Sequence, residues 1–531
     1  MAVEKQIWPF DLDSIPTQEK VGQLFMIAVF INDTESEIQQ TEELIRQYNI
    51  GAVCFFHSRA SAATNFEGKK VVVRNEQSYE QLRYLIKRYQ AAAKIPLLVA
   101  MDAEWGLAMR IENTPQYPYG ITLGALSEEN DDLIHLLGQH IAKDCLEACI
   151  HWNLAPVADI NINPKNPVIG YRSFGEDKEQ VLAKANAYIS GMQSLGVLNA
   201  IKHFPGHGDT DMDSHLDLPV IKKSKKQLDE SELYPFQKLI TSAQANAVMV
   251  AHLLLPSIDD SNPTTTSRKI VTHLLREELD FKGVIISDAL NMHAVSKKYN
   301  EKGRLDWEAF DAGMDMFCFP EFPEEGILKI TEKASEAAIN ERLRRVWELK
   351  KTVFNKPKEE AFPFYNPEEL NRKIARKSLT VIGRYDEKTS GKPKDPIIFS
   401  VGKQDNLHFV ETLVQQSNFK HFSFGPKTIS KWNPEKLQVI ALYPRFVKPK
   451  NQFGFFKEEI EFVNRAIASK NCLLYLFGNP YVLNLFPESY RAKIVVVYQD
   501  FTAFQSVAVE HFNGGFIAEG KLPFTLKRNR L

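Results

Sequence analysis

The sequence predicts an α/β protein: a (β/α)8 barrel of the TIM type, followed by a smaller α/β sandwich domain. Three observations carry this prediction. In the first 350 or so residues, short apolar runs alternate with segments of helical period. Ionisable residues stand where many of these runs end. A second, shorter series of apolar runs begins after residue 375.

The catalytic domain is predicted at residues 1–352, with eight apolar runs as its strands. A closed barrel is favoured over an open, doubly wound sheet because a barrel brings the carboxyl ends of all its strands to one mouth. The runs are Gly22–Phe30, Ile50–Phe56, Ile95–Met101, Leu154–Ile160, Leu198–His203, Ala245–His252, Gly283–Asp288 and Met314–Phe319. The ionisable residues at or just past their ends are Asp102, Asp159, Lys202, His203, His252 and Asp288.

Helices are predicted between these runs. Ser127 is a candidate N-cap for a helix whose first turn carries Glu128 and Glu129. Two further segments, Gln180–Leu195 and Asp229–Thr241, have the same helical period.

A connector is predicted at residues 353–375, where proline and charged residues mix. The second domain, residues 376–531, again alternates apolar runs with helical stretches such as Glu458–Ser469. Its runs are Leu379–Ile382, Ile397–Val401, Leu437–Leu442, Cys472–Phe477 and Ile494–Tyr498. Its Gly514-Gly515 element lacks the phosphate-loop pattern, so no nucleotide site is predicted.

The composition excludes several classes of partner. Among 531 residues, 65 Lys and Arg balance 67 Asp and Glu, a formal charge of −2 that gives no basic field for nucleic acid or an anionic membrane. No run reaches the ~18 apolar residues of a membrane span. The amino terminus, MAVEKQIWPF, lacks the pattern of a signal peptide. A soluble, cytoplasmic chain is expected as the sequence is given; the alternative is a periplasmic or exported protein whose leader has been removed. Oligomeric state is left open.

The five cysteines are sparse and are expected to be reduced core thiols. Cys145 and Cys149 are four residues apart and could ligate a metal, but no second pair of ligands lies nearby in sequence. No metal site is predicted.

The most informative segment is the loop KHFPGHGDTDMDSHLDLP, residues Lys202–Pro219. Gly206 and Gly208 permit unusual backbone angles, so its polar groups are carried on a shaped loop. A solvated polar loop is the plain alternative. The histidines and aspartates could also ligate a divalent metal, but barrel metal sites draw ligands from several strand ends, and the first run contains no histidine. Sugar binding with proton transfer is the favoured interpretation.

This loop resembles the signature of glycoside hydrolase family 3, specifically its β-N-acetylglucosaminidase branch. Other segments resemble family segments in the family's order: MDAEWGLAMR at Met101–Arg110, LAPVAD at Leu154–Asp159, RSFG at Arg172–Gly175, AHLLLP at Ala251–Pro256 and ISD at Ile286–Asp288. Phe512–Leu526 resembles the end of the family's second domain, so the likeness covers nearly the whole chain. Ala103 and Trp105 depart from the pattern of many relatives, which bears on fine specificity. Trp105 could stack on a sugar ring or pack internally.

The resemblance implies a function and a set of site residues. Asp288 would be the nucleophile, His215 the general acid/base, and Asp213 the residue that orients His215. The sugar-binding positions would be Asp102, Arg110, Arg172, Lys202 and His203. The implied enzyme is a retaining exo-β-N-acetylglucosaminidase without a cofactor. Its implied substrates are small carbohydrates, either muropeptides of peptidoglycan recycling or chitooligosaccharides.

These residue types suit the reaction. Retention requires a carboxylate that attacks the anomeric carbon, and Asp288 follows a strand that would hold it rigidly. Its alternative role is N-cap of a helix beginning near Ala289. A histidine with a pKa near ~6.5 can donate and accept a proton at neutral pH without a large shift. His207, by contrast, reads as an ordinary surface histidine.

Three alternatives remain at this point. A phosphorylase is possible because a histidine, unlike a carboxylate, does not repel phosphate. A β-glucosidase of the same family would normally take its acid/base from a Glu outside this loop. A catalytically silent sugar-binding protein is disfavoured by the presence of both Asp288 and His215.

Overall fold

The computed structural model describes residues 10–56, 74–210, 218–355, 365–383, 396–417, 419–425, 428–487 and 490–526. The chain divides into two compact units. The first contains Met1–Tyr117, Ile134–Asn163 and Val181–Tyr365. The second contains Pro118–Leu133, Pro164–Gln180 and Asn366–Leu531. The sequence-based limits of 1–352 and 376–531 remain a proposed domain division.

The first unit holds a parallel eight-stranded sheet in the order β7-β6-β5-β4-β3-β2-β1-β8. Hydrogen bonds from Ser287 N to Met316 O and from Met316 N to Ile285 O, each 3.1 Å long, join β7 to the residue that directly precedes β8 and so connect the two outer strands. The predicted barrel is therefore confirmed. Its strands are β1 (Phe25–Phe30), β2 (Ala52–Phe56), β3 (Leu98–Met101), β4 (Trp152–Asn153), β5 (Leu198–Phe204), β6 (Ala247–Val250), β7 (Val284–Ser287) and β8 (Phe317–Cys318).

Helices separate these strands in sequence. The helix after β1 begins with a capping box, in which Thr34 and Glu37 satisfy each other's backbone N–H groups. The predicted segment 229–241 forms two helices rather than one. The helices are Thr17–Gly22, Glu35–Tyr48, Ser78–Ala92, Asp131–Glu147, Lys178–Leu195, Lys225–Glu230, Leu233–Thr241, Lys269–Glu278 (a π-helix), His293–Ser296, Arg304–Ala312, Pro323–Lys333 and Glu336–Phe354.

Strand β4 differs from its prediction. It covers Trp152–Asn153, just before the predicted run 154–160. Pro156 has no backbone N–H to donate, which interrupts regular pairing within that run. Contact with β5 nevertheless continues, because Ala158 N donates to Lys202 O at 2.6 Å. The run therefore still follows β5 as far as the barrel mouth.

The second unit contains a six-stranded sheet in the order β11-β10-β12-β13-β14-β9, in which only β9 is antiparallel to its neighbour. Strand β11 was not predicted, because it is a short, largely polar edge strand. The strands are β9 (Thr380–Ile382), β10 (Ile397–Gly402), β11 (Lys420–Ser423), β12 (Gln438–Tyr443), β13 (Cys472–Leu476) and β14 (Lys493–Val496). The helices are Gly120–Gly124, Pro367–Ser378, His408–Ser417, Lys457–Ile467 and Thr502–Phe512.

Two segments that precede residue 352 belong to this second unit by their contacts. Gln499 Nε2 donates to Thr122 Oγ1 at 2.7 Å, and Thr525 N donates to Glu176 Oε1 at 2.7 Å. Contacts of this kind between distant parts of the chain carry no sequence signal. Within the described ranges, none of the helices has the combination of length and apolar character that crossing a bilayer requires.

Candidate active site at the barrel mouth

Several predicted site residues lie where the carboxyl ends of the barrel strands meet. Asp102 directly follows β3, Lys202 and His203 lie near the end of β5, and Asp288 directly follows β7. The parallel strands place these residues at one end of the barrel. That end is referred to as the barrel mouth.

Asp102, Lys202 and Arg110 form one charged cluster. Lys202 Nζ lies 2.8 Å from Asp102 Oδ1, and Arg110 Nη2 lies 2.9 Å from Asp102 Oδ2. Burial by itself would raise the pKa of Asp102, but the charges of Lys202 and Arg110 outweigh burial and hold that pKa well below its usual value. Asp102 is therefore ionised at every pH at which the protein would work. Its cluster can both accept hydrogen bonds from sugar hydroxyls and donate to them.

A second carboxylate joins this cluster. Glu104 Oε1 lies 2.8 Å from Lys202 Nζ, and the Glu104 side chain is only 7% exposed. The Lys202 ammonium is thus held between Asp102 and Glu104. The two carboxylates fix the position of a long, otherwise flexible side chain.

The carboxylate of Asp159 contacts both His203 and His207. Its side chain is fully buried, and Oδ2 lies 2.7 Å from His203 Nδ1, while Oδ1 accepts a 2.7 Å hydrogen bond from the backbone N of His207. Burial alone would raise the pKa of Asp159, but His203 and His207 lower it overall. One carboxylate thereby orients the His203 ring and fixes the backbone at His207.

The first part of the signature loop is held firmly up to Thr210. Thr210 Oγ1 lies 2.8 Å from His207 Nδ1, and Asn163 Nδ2 donates to Thr210 O at 3.2 Å. Gly206 has a φ of 128°, as a shaped loop requires. At Gly208 the requirement is close approach, because a Cβ atom there would lie 1.8 Å from Ile160 O. The predicted dyad, Asp213 and His215, lies outside the described residues.

His207 is not the surface histidine that the sequence suggested. It is 1% exposed, and burial lowers its pKa to about 4, with opposing contributions from the charges of Asp159 and Asp288. His207 is therefore neutral at neutral pH. The charge of Asp288 acts on its ring.

Asp288 is partly exposed at the end of β7. Its backbone N donates to Val250 O at 2.9 Å, and its Oδ1 accepts a 2.8 Å hydrogen bond from Ala289 N. The next helix begins at His293, with Met292 as the flanking residue, so the alternative N-cap role for Asp288 is wrong. The carboxylate is instead held by the turn that directly follows its strand.

His252, two residues after the end of β6, supports that turn. Its ring is buried, with Nε2 3.0 Å from Ala289 O and Nδ1 2.5 Å from Thr265 Oγ1. The segment that carries Asp288 is therefore bonded to neighbouring strands on both sides, since Leu290 N donates to Cys318 O at 3.0 Å.

Arg172 is placed differently from the other predicted site residues. It ends the short helix Gly170–Arg172, which belongs to the second compact unit, and its Nη1 donates to Val168 O at 3.2 Å. In the part of the chain that the structure describes, no group of three His, Cys, Asp or Glu side chains is arranged to hold a metal. Cys145 is buried and Cys149 exposed, so this pair does not present two thiols on one surface.

Comparison with known proteins identifies the family. Residues 16–349 match the model of the glycosyl hydrolase family 3 N-terminal domain, which is more than half of the chain. The chain belongs to glycosyl hydrolase family 3. The resemblance that the sequence suggested is therefore confirmed, and so is its class as a glycoside hydrolase.

Relatives of this family 3 chain carry consistent names. It is 33% identical over 300 residues to β-hexosaminidase A of Pseudoalteromonas piscicida, an alignment that covers 53% of this chain and 47% of that protein. It is 34% identical over 281 residues to a β-hexosaminidase of Tolumonas auensis, covering 52% of this chain and 77% of that protein. The chain thus spans about half the length of the first relative and about three quarters of the second.

A solved structure matches almost the whole family 3 chain. It is a glycoside hydrolase family 3 β-N-acetylglucosaminidase from Paenibacillus sp. str. FPU-7, with a TM-score of 0.77 over 97% of this chain and 99% of that chain. At 24% sequence identity, this match supports the barrel and the second α/β domain as a fold.

Sequence reasoning missed two residues of this family 3 site. Glu104 lies in the quoted segment MDAEWGLAMR, but nothing in its spacing indicated a contact with Lys202. Asp159 was recognised at a strand end without a role. For Glu104 the signal was a carboxylate two residues after Asp102, and for Asp159 it was a carboxylate near the end of an apolar run. The partner could be named only from the fold.

Proposed function

We propose that this protein is a retaining exo-β-N-acetylglucosaminidase that removes terminal β-linked N-acetylglucosamine. The observation that carries the proposal is Asp288, a partly exposed carboxylate fixed at the end of β7 in the same mouth as the Asp102–Lys202–Arg110 cluster. The names of the curated relatives support N-acetylhexosamine as the sugar.

In the first step, Asp288 attacks the anomeric carbon as the bond to the leaving oxygen breaks. That oxygen takes its proton from His215, and a covalent glycosyl-enzyme results. In the second step, His215 accepts a proton from water, whose oxygen attacks the anomeric carbon and releases Asp288 as a carboxylate. Asp213 holds the His215 ring in the required tautomer.

The remaining predicted residues bind the sugar. Asp102 accepts hydrogen bonds from hydroxyls, while Lys202 and Arg110 donate to hydroxyl oxygens. His203, whose Nδ1 atom lies 2.7 Å from Asp159 Oδ2, is proposed as a further sugar-binding residue. Arg172 is proposed as an additional donor. No cofactor takes part in these steps.

The proposed natural substrates are N-acetylglucosaminyl muropeptides released during peptidoglycan recycling, or chitooligosaccharides. Both present a terminal β-linked N-acetylglucosamine, which is the only unit that an exo-acting enzyme must recognise. They differ in the group that leaves.

Hydrolysis of 4-nitrophenyl N-acetyl-β-glucosaminide, followed by NMR, tests the proposal. We expect N-acetylglucosamine that first appears as the β-anomer, both with and without phosphate, and much slower turnover of 4-nitrophenyl β-glucoside. A first-formed α-anomer would contradict retention. N-acetylglucosamine 1-phosphate as the main product in phosphate buffer would make the protein a phosphorylase. Absence of turnover would contradict the assignment as an N-acetylglucosaminidase.

A further inference from the structure

Two cysteines contact each other inside the barrel. Cys54 lies on β2 and Cys318 on β8, and their side chains form a hydrogen bond. The two residues are buried, with exposed fractions of 0% and 3%. Strand β1 lies between β2 and β8, so the contact is made across one intervening strand. These two residues are called the thiol pair.

Cys54 faces the interior of the barrel. Its neighbour Phe55 packs on Tyr89 of the helix Ser78–Ala92, with ring centroids 6.3 Å apart. Phe55 therefore points outward, toward a helix that follows its strand. Successive side chains of a strand alternate between the two faces of the sheet, so Cys54 points inward.

Cys318 lies on the same interior face. On the intervening strand, Ala28 pairs with Cys54 and Met26 pairs with Cys318. Met26 and Ala28 are two positions apart, so the side chains at all four positions share one face. Interior side chains of such a barrel form layers that are contributed by alternate strands. The thiol pair, from β2 and β8, is part of one such layer.

Solvent reaches the level of the thiol pair. Ala28 is partly exposed, although the other residues of β1 are buried. Because Ala28 points inward and pairs with Cys54, the interior of the barrel is open to solvent at this height. The charges of Asp102 and Asp288 act on Cys318, so the pair lies close to the carboxylates of the barrel mouth.

The backbone of Cys318 is bonded to both sides of Asp288. Cys318 N donates to Ser287 Oγ at 3.0 Å, and Leu290 N donates to Cys318 O at 3.0 Å. Asp288 lies between these two partners in the sequence. A displacement of Cys318 is therefore transmitted to the segment that holds the Asp288 carboxylate.

We propose that the thiol pair binds a soft, thiophilic cation that takes two sulfur ligands in a line, and that its occupation inactivates the enzyme through Asp288. Thiolate sulfur selects soft metals. Two thiolates complete the coordination of such a cation, whereas zinc takes four ligands. On binding, both S–H bonds break, two metal–sulfur bonds form and two protons are released. With mercury(II) the resulting complex is neutral, which suits a buried position.

The protonated state of the pair limits which reagents can reach it. The hydrogen bond with Cys54, together with burial, raises the pKa of Cys318 well above its usual value. Alkylating reagents, which need a thiolate, should therefore react slowly with Cys318. A thiophilic cation differs because its bonds to sulfur displace the protons.

Binding must also move the two sulfurs apart. With bonds of ~2.3 Å, as in zinc thiolates, two sulfurs on opposite sides of a metal lie roughly 4.6 Å apart. This is farther than two hydrogen-bonded thiols, so Cys318 shifts and strains its bonds to Ser287 and Leu290. The site itself is independent of the proposed function, whereas the inactivation rests on the proposed role of Asp288.

Mercury(II) chloride is the probe, in a Cys149→Ala background that removes the exposed thiol. Hydrolysis of 4-nitrophenyl N-acetyl-β-glucosaminide is measured with one equivalent of mercury(II) and rising 2-mercaptoethanol, which competes for the metal. We expect the background protein to lose its activity. Half recovery should need about a hundredfold more 2-mercaptoethanol than in Cys54→Ala or Cys318→Ala, because two sulfurs held together bind as a chelate.

Controls separate this effect from a folding defect or another thiol. Alanine at either position keeps the backbone hydrogen bonds around Asp288, so activity without metal should equal that of the background protein. Thermal melting checks that each variant is folded, and the two variants test the site independently. Cys472→Ala removes a buried thiol of β13 and should respond to mercury(II) as the background protein does. X-ray absorption of the loaded background protein should show two sulfur ligands.

The possible results separate the site from the proposed function. Equal recovery in the background protein and in both variants of the thiol pair would overturn the proposal, because the metal would then act elsewhere. Full activity with mercury(II) bound to two sulfurs would overturn the link to Asp288. If the metal-free protein has no activity, the proposed function fails. X-ray absorption then still tests the site, and fewer than two sulfur ligands would overturn it.

Discussion

Lys202 Nζ lies 2.8 Å from Asp102 Oδ1, although the two residues are 100 positions apart in the sequence. Lys202 is almost completely buried and contacts Glu104 at the same distance. A buried ammonium is stable only when carboxylates compensate its charge, and these carboxylates in turn need the ammonium. The contact makes the cluster one electrostatic unit.

Lys202→Met should therefore reduce kcat/KM for an aryl N-acetyl-β-glucosaminide by about a hundredfold or more, since removing one partner of a buried charge pair leaves the other uncompensated. Steady-state kinetics measure this. Lys226→Met, at a position whose side chain is 84% exposed, is the matched control and should retain wild-type activity. Equal activity of the two variants would show that Lys202 does not contribute to substrate binding or turnover.

Asp159→Asn should weaken substrate binding through His203. The amide keeps the shape of the carboxylate but removes the charge that orients the His203 ring, which predicts a rise in KM of about tenfold to a hundredfold. The kinetics should be split into KM and kcat over a range of pH. If the variant has a lower melting temperature but normal KM and kcat, the role of Asp159 is purely structural.

Much of this site could be predicted because strand ends are visible in a sequence. Asp102, Lys202 and Asp288 each end an apolar run, and a barrel brings such ends together. Pairing between them could not be predicted, because the Lys202–Asp102 and Lys202–Glu104 contacts depend on which strands are neighbours and on side-chain length. The burial of His207 could not be predicted for a related reason: the Asp159 carboxylate that fixes its backbone lies 48 positions earlier, in the segment that follows β4.

His215→Ala should distinguish substrates by their leaving groups. The proposed proton donation contributes about 10² to 10⁴ in rate when the leaving oxygen is basic and little when it is an activated phenol. Turnover of a chitooligosaccharide should fall by that factor, and turnover of the 4-nitrophenyl substrate far less. Parallel losses on both substrates would contradict the role of His215 as the acid/base.

Asp306 predicts a pH dependence of stability. It is buried in the helix Arg304–Ala312, burial raises its pKa to about 7, and its Oδ1 has no partner among the described residues. Below about pH 4 the group is protonated in both the folded and the unfolded chain. Between about pH 4 and about pH 7 the unfolded chain loses a proton that the folded chain retains, so the free energy of unfolding decreases as pH rises.

Asp306→Asn should remove that decrease. The variant should be more stable than the wild type near about pH 8, on the order of a few kcal/mol, with a smaller difference near about pH 5. Chemical denaturation at both pH values measures this. Asp311→Asn, at an exposed position of the same helix, should leave the pH dependence unchanged. A constant difference between wild type and Asp306→Asn at both pH values would contradict the linkage.

The central claim is that Asp288 forms a bond to the anomeric carbon. The most direct measurement is mass spectrometry of the protein after incubation with a 5-fluoro N-acetylglucosaminyl fluoride, which slows breakdown of a glycosyl-enzyme. We predict one sugar adduct, on the peptide that contains Asp288, and none in Asp288→Ala. An adduct on a different carboxylate, or turnover without any adduct, would contradict the account.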